Sequence, residues 1–259
     1  MKGFAAQIGP LAQRSIVRTF RRPPLVAAGF VFPLILYGFT YGGLGKAATK
    51  LPGFPTSSYA TFALGLTFAY AGIYATTLAG GQIGDDVQTG FIKRLALTRL
   101  GSITLLLGQL TGVVFFAFLQ GAVFLAVGFA LGAHVAAGVG GAFVVVAFGA
   151  FNAITLGTVG IMAALRVGSG QAVAGLFPVF MASMFLSSMN LPRDLIRAGW
   201  FRTIATYNPL SYLMEAPRSL LVTGWSPEPL LLGLLVGASI FIPALLSTAA
   251  SLRALSVRK

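Results

Sequence analysis

The chain is 259 residues long, 56% hydrophobic and only 9% charged, with a net charge of +13. Soluble domains carry about 25% charged residues, so this composition predicts a single unit embedded in a membrane. Having no cysteine and one histidine excludes disulfides, zinc–thiolate sites, iron–sulfur ligation and histidine-based metal sites. The basic residues fall in short segments beside apolar runs, which is typical of membrane topology and anionic-lipid contacts rather than of nucleic-acid binding.

The segment before the first apolar run predicts an amphipathic helix from Pro10 to Arg22. Its apolar side carries Ala12, Ile16 and Phe20, and its basic side carries Arg14, Arg18 and Arg21. Pro10 suits a first-turn position, where its missing N–H is not needed. Two interpretations stay open: residues 1–22 form a cytoplasmic interface helix, or they are a basic cluster that only sets topology and touches lipid headgroups.

Six runs without charged side chains predict six transmembrane helices within residues 25–251, because about 20 apolar residues suffice to cross the hydrocarbon core. The runs are Leu25–Gly43, Tyr59–Gly80, Ile103–Leu131, Ala142–Leu165, Gln171–Asn190 and Leu230–Ser251. A seventh span over Thr203–Thr223 is disfavoured, since Pro209, Glu215 and Arg218 are each costly in hydrocarbon. The predicted fold is therefore an all-α integral membrane protein with about six transmembrane helices.

The distribution of basic residues predicts the orientation. Six spans place both chain ends on one side, and that side holds twelve of the eighteen Lys and Arg residues. Because basic loops are retained in the cytoplasm, we expect a multi-pass protein of the cell membrane with both termini cytoplasmic.

Between the second and third spans, the segment Asp85–Leu95 has acids at its start and bases at its end. This polarity predicts a short cytoplasmic helix aligned with its own macrodipole. An apolar patch of Phe91, Ile92 and Leu95 could dock on another protein or pack against the protein's own helices, and both interpretations stay open.

The long segment Pro192–Pro229 mixes aromatic residues such as Trp200 with charges and prolines. Aromatic side chains of this kind favour the headgroup boundary. We therefore expect short helices that lie on the outer face or dip back into it, with a break at Asn208-Pro209.

The sequence lacks the residues that several other classes of membrane protein require. No Asp, Glu, Lys or Arg falls in the middle of a predicted span, which disfavours ion-coupled transport. No Walker A loop is present, so active transport requires ATP hydrolysis in another subunit. A passive channel is disfavoured because no charged or carbonyl-rich filter is visible. We interpret His134 as a lone loop histidine, and Gln120 and Asn152 as interhelical hydrogen-bonding residues.

Two motifs resemble the ABC type-2 permeases, particularly the daunorubicin-resistance-type membrane subunits of drug and lipid exporters. The outer motif comprises Phe185-Leu186-Ser187-Ser188, Pro192, Trp200 and Asn208-Pro209-Leu210-Ser211-Tyr212-Leu213, followed by Glu215 and Arg218. The inner motif comprises Asp85 or Asp86, Gly90, Arg94 and Leu95. One departure is Arg197-Ala198-Gly199 before Trp200, where the family often has Met-Pro.

The resemblance implies a six-span half-transporter that works as a dimer, equal or unequal, on two separate cytoplasmic ATPase subunits. These partners would bind ATP and Mg²⁺, and this chain would be neither an enzyme nor a cofactor carrier. Residues 85–99 would contain the coupling helix, the N-terminal helix would lie beside the ATPase, and residues 192–229 would form extracytoplasmic, re-entrant helices.

We therefore predict the permease of an ATP-driven exporter for hydrophobic drugs, lipids or lipid-linked molecules. Such a protein would contribute to efflux and antibiotic resistance. The alternative is a membrane scaffold or assembly subunit that transports nothing, since a docking segment and a basic face would serve that purpose too.

Overall fold

The computed structural model describes residues 2–96 and 102–257, and throughout these residues the regular structure is helical, with no strand. The helices are α1 (Lys2–Phe20), α2 (Pro23–Ala48), α3 (Tyr59–Gln88), α4 (Phe91–Ala96), α5 (Ser102–Ala130), α6 (Gly138–Val167), α7 (Gly170–Ala174), α8 (Leu176–Phe185), α9 (Gly199–Tyr207), α10 (Pro209–Val222) and α11 (Pro227–Val257). A 3₁₀ turn covers Arg193–Leu195. The predicted all-α class is confirmed.

Five helices are long and apolar enough to cross a membrane: Pro23–Ala48, Tyr59–Gln88, Thr104–Ala130, Gly138–Val167 and Pro227–Leu252. The remaining predicted span, Gln171–Asn190, differs in form. It consists of the shorter helices α7 and α8, which meet at Gly175, and the chain leaves the helix at Leu186. Pro192 has no N–H to offer the Ser188 carbonyl in a continuing helix, and the carbonyls of Ser188 and Met189 instead accept hydrogen bonds from Arg218.

The central helix is α3, which is buried along nearly its whole length. It packs closely on α6, where a Cβ atom at Gly72 would meet the Asn152 backbone at 2.9 Å and one at Gly160 would meet the Thr76 carbonyl. Asn152 donates from Nδ2 to the Leu213 carbonyl at 3.1 Å, and Gln120 donates to the Gly29 carbonyl at 2.7 Å. The predicted interhelical hydrogen bonds of these two side chains are confirmed.

The N-terminal helix α1 differs from its prediction in two respects. It already runs from Lys2, so Pro10 lies inside the helix rather than in its first turn. Among its side chains described from residue 8 onward, the most buried are Ser15 and Thr19, not the predicted apolar stripe. Small residues on α5 explain this: a Cβ atom at Gly112 would touch Ser15, so the glycine lets the two helices approach closely.

Helix α10 enters the bundle between α3, α6 and α11. Its residues Leu213, Met214, Ala216 and Leu220 have no exposed surface. The predicted break holds, since α9 ends at Tyr207 and α10 begins at Pro209. At 14 residues, α10 is too short for a seventh span and packs as a short helix against α3, α6 and α11.

Candidate functional site

The first candidate site lies where α1 meets the last turn of α3, and we call this the α4 end of the bundle. Asp86 is only 2% exposed and is held between two guanidinium groups. Arg14 donates to its two carboxylate oxygens at 2.7 and 3.0 Å, and Arg18 donates to Oδ1 at 2.7 Å. Gln109 of α5 adds a fourth hydrogen bond, from Nε2 to Oδ2 at 3.1 Å.

The neighbouring acid, Asp85, is more exposed, at 33% of its side chain. Its Oδ2 atom accepts from Arg18 at 3.1 Å and from Arg22 at 2.8 Å. Together the five charged residues Arg14, Arg18, Arg22, Asp85 and Asp86 form one network, which we call the arginine–aspartate cluster. It fixes α1 to the end of α3.

Uncharged polar side chains add further hydrogen bonds between α1 and the helices α3 and α5. Ser15 donates to the Gln109 carbonyl at 2.9 Å, and Gln82 donates to the Thr19 hydroxyl at 2.9 Å. Arg18 also donates to the Gln82 carbonyl at 3.2 Å. The buried face of α1 is thus hydrogen-bonded to both α3 and α5.

The structure corrects the predicted helix over Asp85–Leu95. Both acids belong to the C-terminal turn of α3, where a negative charge opposes the macrodipole, so the predicted favourable alignment is wrong. The arginines of α1 offset that unfavourable position. The chain then turns at Gly90, whose φ of +69° lies in the left-handed region, and begins α4 at Phe91.

The apolar patch predicted on this segment is partly used by the protein itself. Ile92 is buried, and the guanidinium of Arg14 lies 3.9 Å from the centre of the Phe91 ring. By contrast, Gln88, Thr89 and Arg94 are exposed. The side chain of Leu95 lies outside the described residues, as do Arg99, Arg258 and Lys259 of the topology prediction. We call residues 88–96 the α4 segment.

The sequence predicts Arg14 and Arg18 on a surface that faces lipid or a partner protein, whereas in the structure they pair with Asp85 and Asp86. The prediction also includes Arg21, which is exposed, and misses Arg22. The signal that could have revealed Arg22 is the spacing of Arg14, Arg18 and Arg22, which places three arginines on one stripe of a helix.

The second candidate site lies at the opposite end of the bundle, around Arg218 of α10. This side chain is 5% exposed and donates to three backbone carbonyls: Phe62 at 3.1 Å, Ser188 at 2.7 Å and Met189 at 3.0 Å. Its guanidinium also lies 4.0 Å from the centre of the Phe62 ring. Arg218 therefore joins α10, the start of α3 and the turn after α8.

Other members of the predicted outer motif pack around Arg218. Glu215 accepts from Arg193 at 2.6 Å, and the Arg193 guanidinium lies 4.5 Å from the centre of the Tyr212 ring. Burial favours neutral Arg193, but Glu215 and Tyr212 outweigh it, so the pKa of Arg193 is raised above its usual value. The Tyr212 hydroxyl donates to the Thr206 carbonyl at 2.8 Å, which ties α9 to α10.

Asn208 and Pro209 form the start of α10. The Asn208 side chain accepts from the Leu210 N–H at 2.9 Å and donates to the Ser183 carbonyl of α8 at 2.6 Å, while Pro209 occupies the first helical position. Trp200 of α9 does not join this group and is mostly exposed. The lone loop histidine, His134, contacts Thr61 at 3.0 Å.

A cleft of about 580 Å³ opens beside Arg218, and we call it the α10 cleft. Its charged lining residues are Arg193, Asp194, Arg202, Glu215 and Arg218, and Phe62 and Val222 provide apolar wall. Arg202 and Asp194 form an exposed ion pair at 3.1 Å across its rim.

The fold and these two sites define a multi-pass helical membrane protein with an ion-paired N-terminal helix and a short, buried helix before its last span. The chain matches the family model for the ABC-2 type transporter over residues 6–222, and it belongs to that family. A comparison with curated proteins found no match. The matched range contains both candidate sites, and the family-level resemblance is confirmed.

Family membership establishes the general role. The chain is the membrane permease subunit of an ABC transporter, and permeases of this family work with ATP-binding subunits.

Proposed function

We propose that this permease serves an ATP-driven exporter that moves hydrophobic drugs, lipids or lipid-linked molecules out of the cytoplasm or inner leaflet. Two separate cytoplasmic ATPase subunits bind ATP and Mg²⁺, and a second permease copy or a related chain completes the membrane part. The substrate class and the direction rest on the resemblance to daunorubicin-resistance-type subunits.

The main observation behind the proposal is that the α4 segment follows a helix end that is held in place by ion pairs. Its exposed residue Gln88 ends α3, and exposed Thr89 and Arg94 follow it, while the arginine–aspartate cluster fixes that end to α1. A rigidly based segment of this kind can transmit movement of a docked ATPase to the membrane helices. In this arrangement Asp85 and Asp86 anchor the segment, and Gly90, Phe91 and Arg94 shape and present its docking surface.

The positions of the charges support an external energy source. Within the five described spans, acidic and basic side chains occur only near helix ends: Lys46, Asp85, Asp86, Arg166 and Glu228. An ion-coupled carrier places such groups at mid-membrane, where they bind the coupling ion.

The apolar face of α2 supports a dimer. Val31, Phe32, Ile35 and Phe39 are all exposed, and the last is 73% exposed in the single chain. These residues recur at three- and four-residue intervals and form one stripe along the helix. The stripe gives a second permease chain an extended surface against α2.

The test is reconstitution with the ATPase in liposomes, measuring ATP hydrolysis and movement of a hydrophobic fluorescent substrate together. Gly90→Ala is the informative variant: a Cβ atom there has open space, so the change acts only through φ, at about 1–2 kcal/mol of backbone strain. We expect it to lower transport per ATP hydrolysed while the protein remains in the membrane. Gly81→Ala, also with open space but in regular helix, is the control.

Full transport by the Gly90→Ala complex would remove the coupling role from the α4 segment. ATPase binding without any substrate-stimulated hydrolysis or transport would favour the scaffold alternative, which the same docking segment would serve.

A further inference from the structure

We infer that the α10 cleft is a binding site for an anionic group, and that the headgroup of an anionic amphiphile is its occupant. This site is separate from the proposed coupling site, because Phe62 and Asp85 are about 35 Å apart along α3.

Arg218 carries a positive charge that is not paired with a carboxylate in the described part of the chain. Its guanidinium is buried and always charged, yet across the described residues no carboxylate lies within 4.0 Å of it. The three carbonyls that accept its hydrogen bonds supply dipoles and no net charge. A cation removed from water is costly unless a counter-charge compensates it, so Arg218 favours an anion in the adjacent cleft.

The nearest candidate counter-ion is already engaged. Glu215 is three residues away on the same helix, but its Oε2 atom accepts from Arg193 at 2.6 Å. Asp194, the other acid, is 90% exposed and pairs with Arg202. The cleft is therefore lined by three guanidinium groups and two carboxylates, and one excess positive charge remains for a ligand.

The chemistry and size of the cleft define the ligand. Guanidinium groups present donors that match the oxygens of phosphate or carboxylate. The volume of about 580 Å³ falls within the range of roughly 300–1,000 Å³ typical of small-molecule sites, and it exceeds what a bare phosphate fills. A headgroup with its glycerol or sugar fits better.

The position of the cleft favours an amphiphile over a soluble anion. Helix α3 has 30 residues and is about 45 Å long, whereas the hydrocarbon core is about 30 Å thick. Phe62, in the first turn of α3, therefore lies close to the boundary where headgroups reside. Val222 and Pro229, which line the cleft and are partly exposed, then offer apolar surface to the glycerol and upper acyl region.

The experiment uses the purified full chain in a neutral maltoside detergent and follows its thermal unfolding as ligand is added. The probes are dodecyl phosphate, zwitterionic dodecylphosphocholine and inorganic phosphate. Dodecyl phosphate should raise the unfolding temperature saturably, because a ligand that binds only the folded state stabilises it. Dodecylphosphocholine should have less than a tenth of its affinity.

Variants at the rim test the location without removing Arg218, whose loss would endanger folding. Arg202→Gln should weaken dodecyl phosphate binding at least fivefold. Arg197→Gln removes the same charge from an exposed arginine of the same segment that does not line the cleft, and it should leave the affinity unchanged. Glu215→Gln frees Arg193 and should tighten binding severalfold, which a merely destabilising change would not do.

Two results would overturn the site: equal stabilisation by the anionic and zwitterionic amphiphiles, or unchanged affinity in Arg202→Gln and Glu215→Gln. If inorganic phosphate binds as tightly as dodecyl phosphate, and with the same response to the variants, the anion site stands and its occupant is a soluble anion.

Discussion

Asp86 and Arg218 are the two buried charges in the described part of the chain, and their surroundings differ. Asp86 is compensated by two guanidinium groups, while Arg218 is surrounded by carbonyl dipoles. The first arrangement is a closed network that joins two helices. The second leaves charge available, and its neighbouring cleft is where we place a ligand.

The pair Asp85 and Asp86 allows a matched stability test. Asp86→Asn removes the buried partner of Arg14 and Arg18; because both arginines are partly exposed and Arg18 keeps Asp85, the cost stays below the value of about 3–5 kcal/mol for a fully buried pair. Asp85→Asn breaks partly exposed pairs worth about 0–1 kcal/mol. We expect Asp86→Asn to lower the thermal unfolding temperature in detergent clearly more than Asp85→Asn. Equal losses in the two variants would contradict the central role of Asp86.

For single residues, the sequence places Asp86 and Arg218 in motifs but does not predict which residues they contact. Asp86 and Arg218 both emerge from motif spacing, but Arg14 lies 72 positions from its acid and Arg218 lies 156 positions from Phe62. No local pattern encodes such pairings, since they depend on which helices become neighbours. The basic stripe of α1 consequently suggested lipid or a partner protein, although Arg14 and Arg18 face α3.

Among the helices, the contact between α3 and α7 depends on glycine. A Cβ atom at Gly84 would meet the backbone nitrogen of Gly170, whereas one at Gly81 has open space. Gly84→Ala should therefore destabilise the protein by about 1–3 kcal/mol through forced separation of the two helices. Gly81→Ala should be neutral or stabilising by up to about 1 kcal/mol, since alanine is the better helix former.

Thermal unfolding of the two alanine variants in the same detergent measures this difference. An unfolding temperature for Gly84→Ala that equals or exceeds that of Gly81→Ala would show that α7 does not sit tightly on α3.

Helix α9 presents an exposed stripe of Trp200, Ile204 and Tyr207, the last 83% exposed. Since aromatic residues favour the headgroup boundary, we predict that this stripe inserts at the membrane surface. The chain has two tryptophans, so Trp225→Phe leaves Trp200 as the sole reporter. In liposomes, its fluorescence should be quenched more by lipids brominated near the headgroup than by lipids brominated at mid-chain.

The same variant provides the counter-test. Quenching of Trp200 by aqueous iodide to the level of free tryptophan, with no effect of brominated lipid, would place α9 in water instead.

The long helices follow from their uncharged runs, because length and hydropathy suffice to define a membrane span. The short ones do not. The run 171–190 is as apolar as a span, yet α8 ends at Phe185, and the Ser188 carbonyl beyond it accepts from Arg218, a side chain 30 positions away. The sequence likewise predicts Pro10 in the first turn of a helix, but the residues before it are also helical.

For the whole molecule, α3 is the element that joins the two candidate sites. Its last turn carries the arginine–aspartate cluster and its first turn borders the α10 cleft. It is also the most buried of the five spans. In the proposed mechanism, a displacement imposed at the α4 segment would act on a helix that reaches the opposite end of the bundle.

The most direct test of the account is purification of a tagged chain from its own host, with identification and quantification of co-purifying proteins by mass spectrometry. We expect a stoichiometric ATPase subunit with a Walker A loop, lost when exposed Arg94 of the α4 segment is changed to Glu. It should be retained in Arg197→Glu, which makes the same charge change at the opposite end of the bundle. A clean preparation with no ATPase, or equal ATPase recovery from both variants, would contradict docking through the α4 segment.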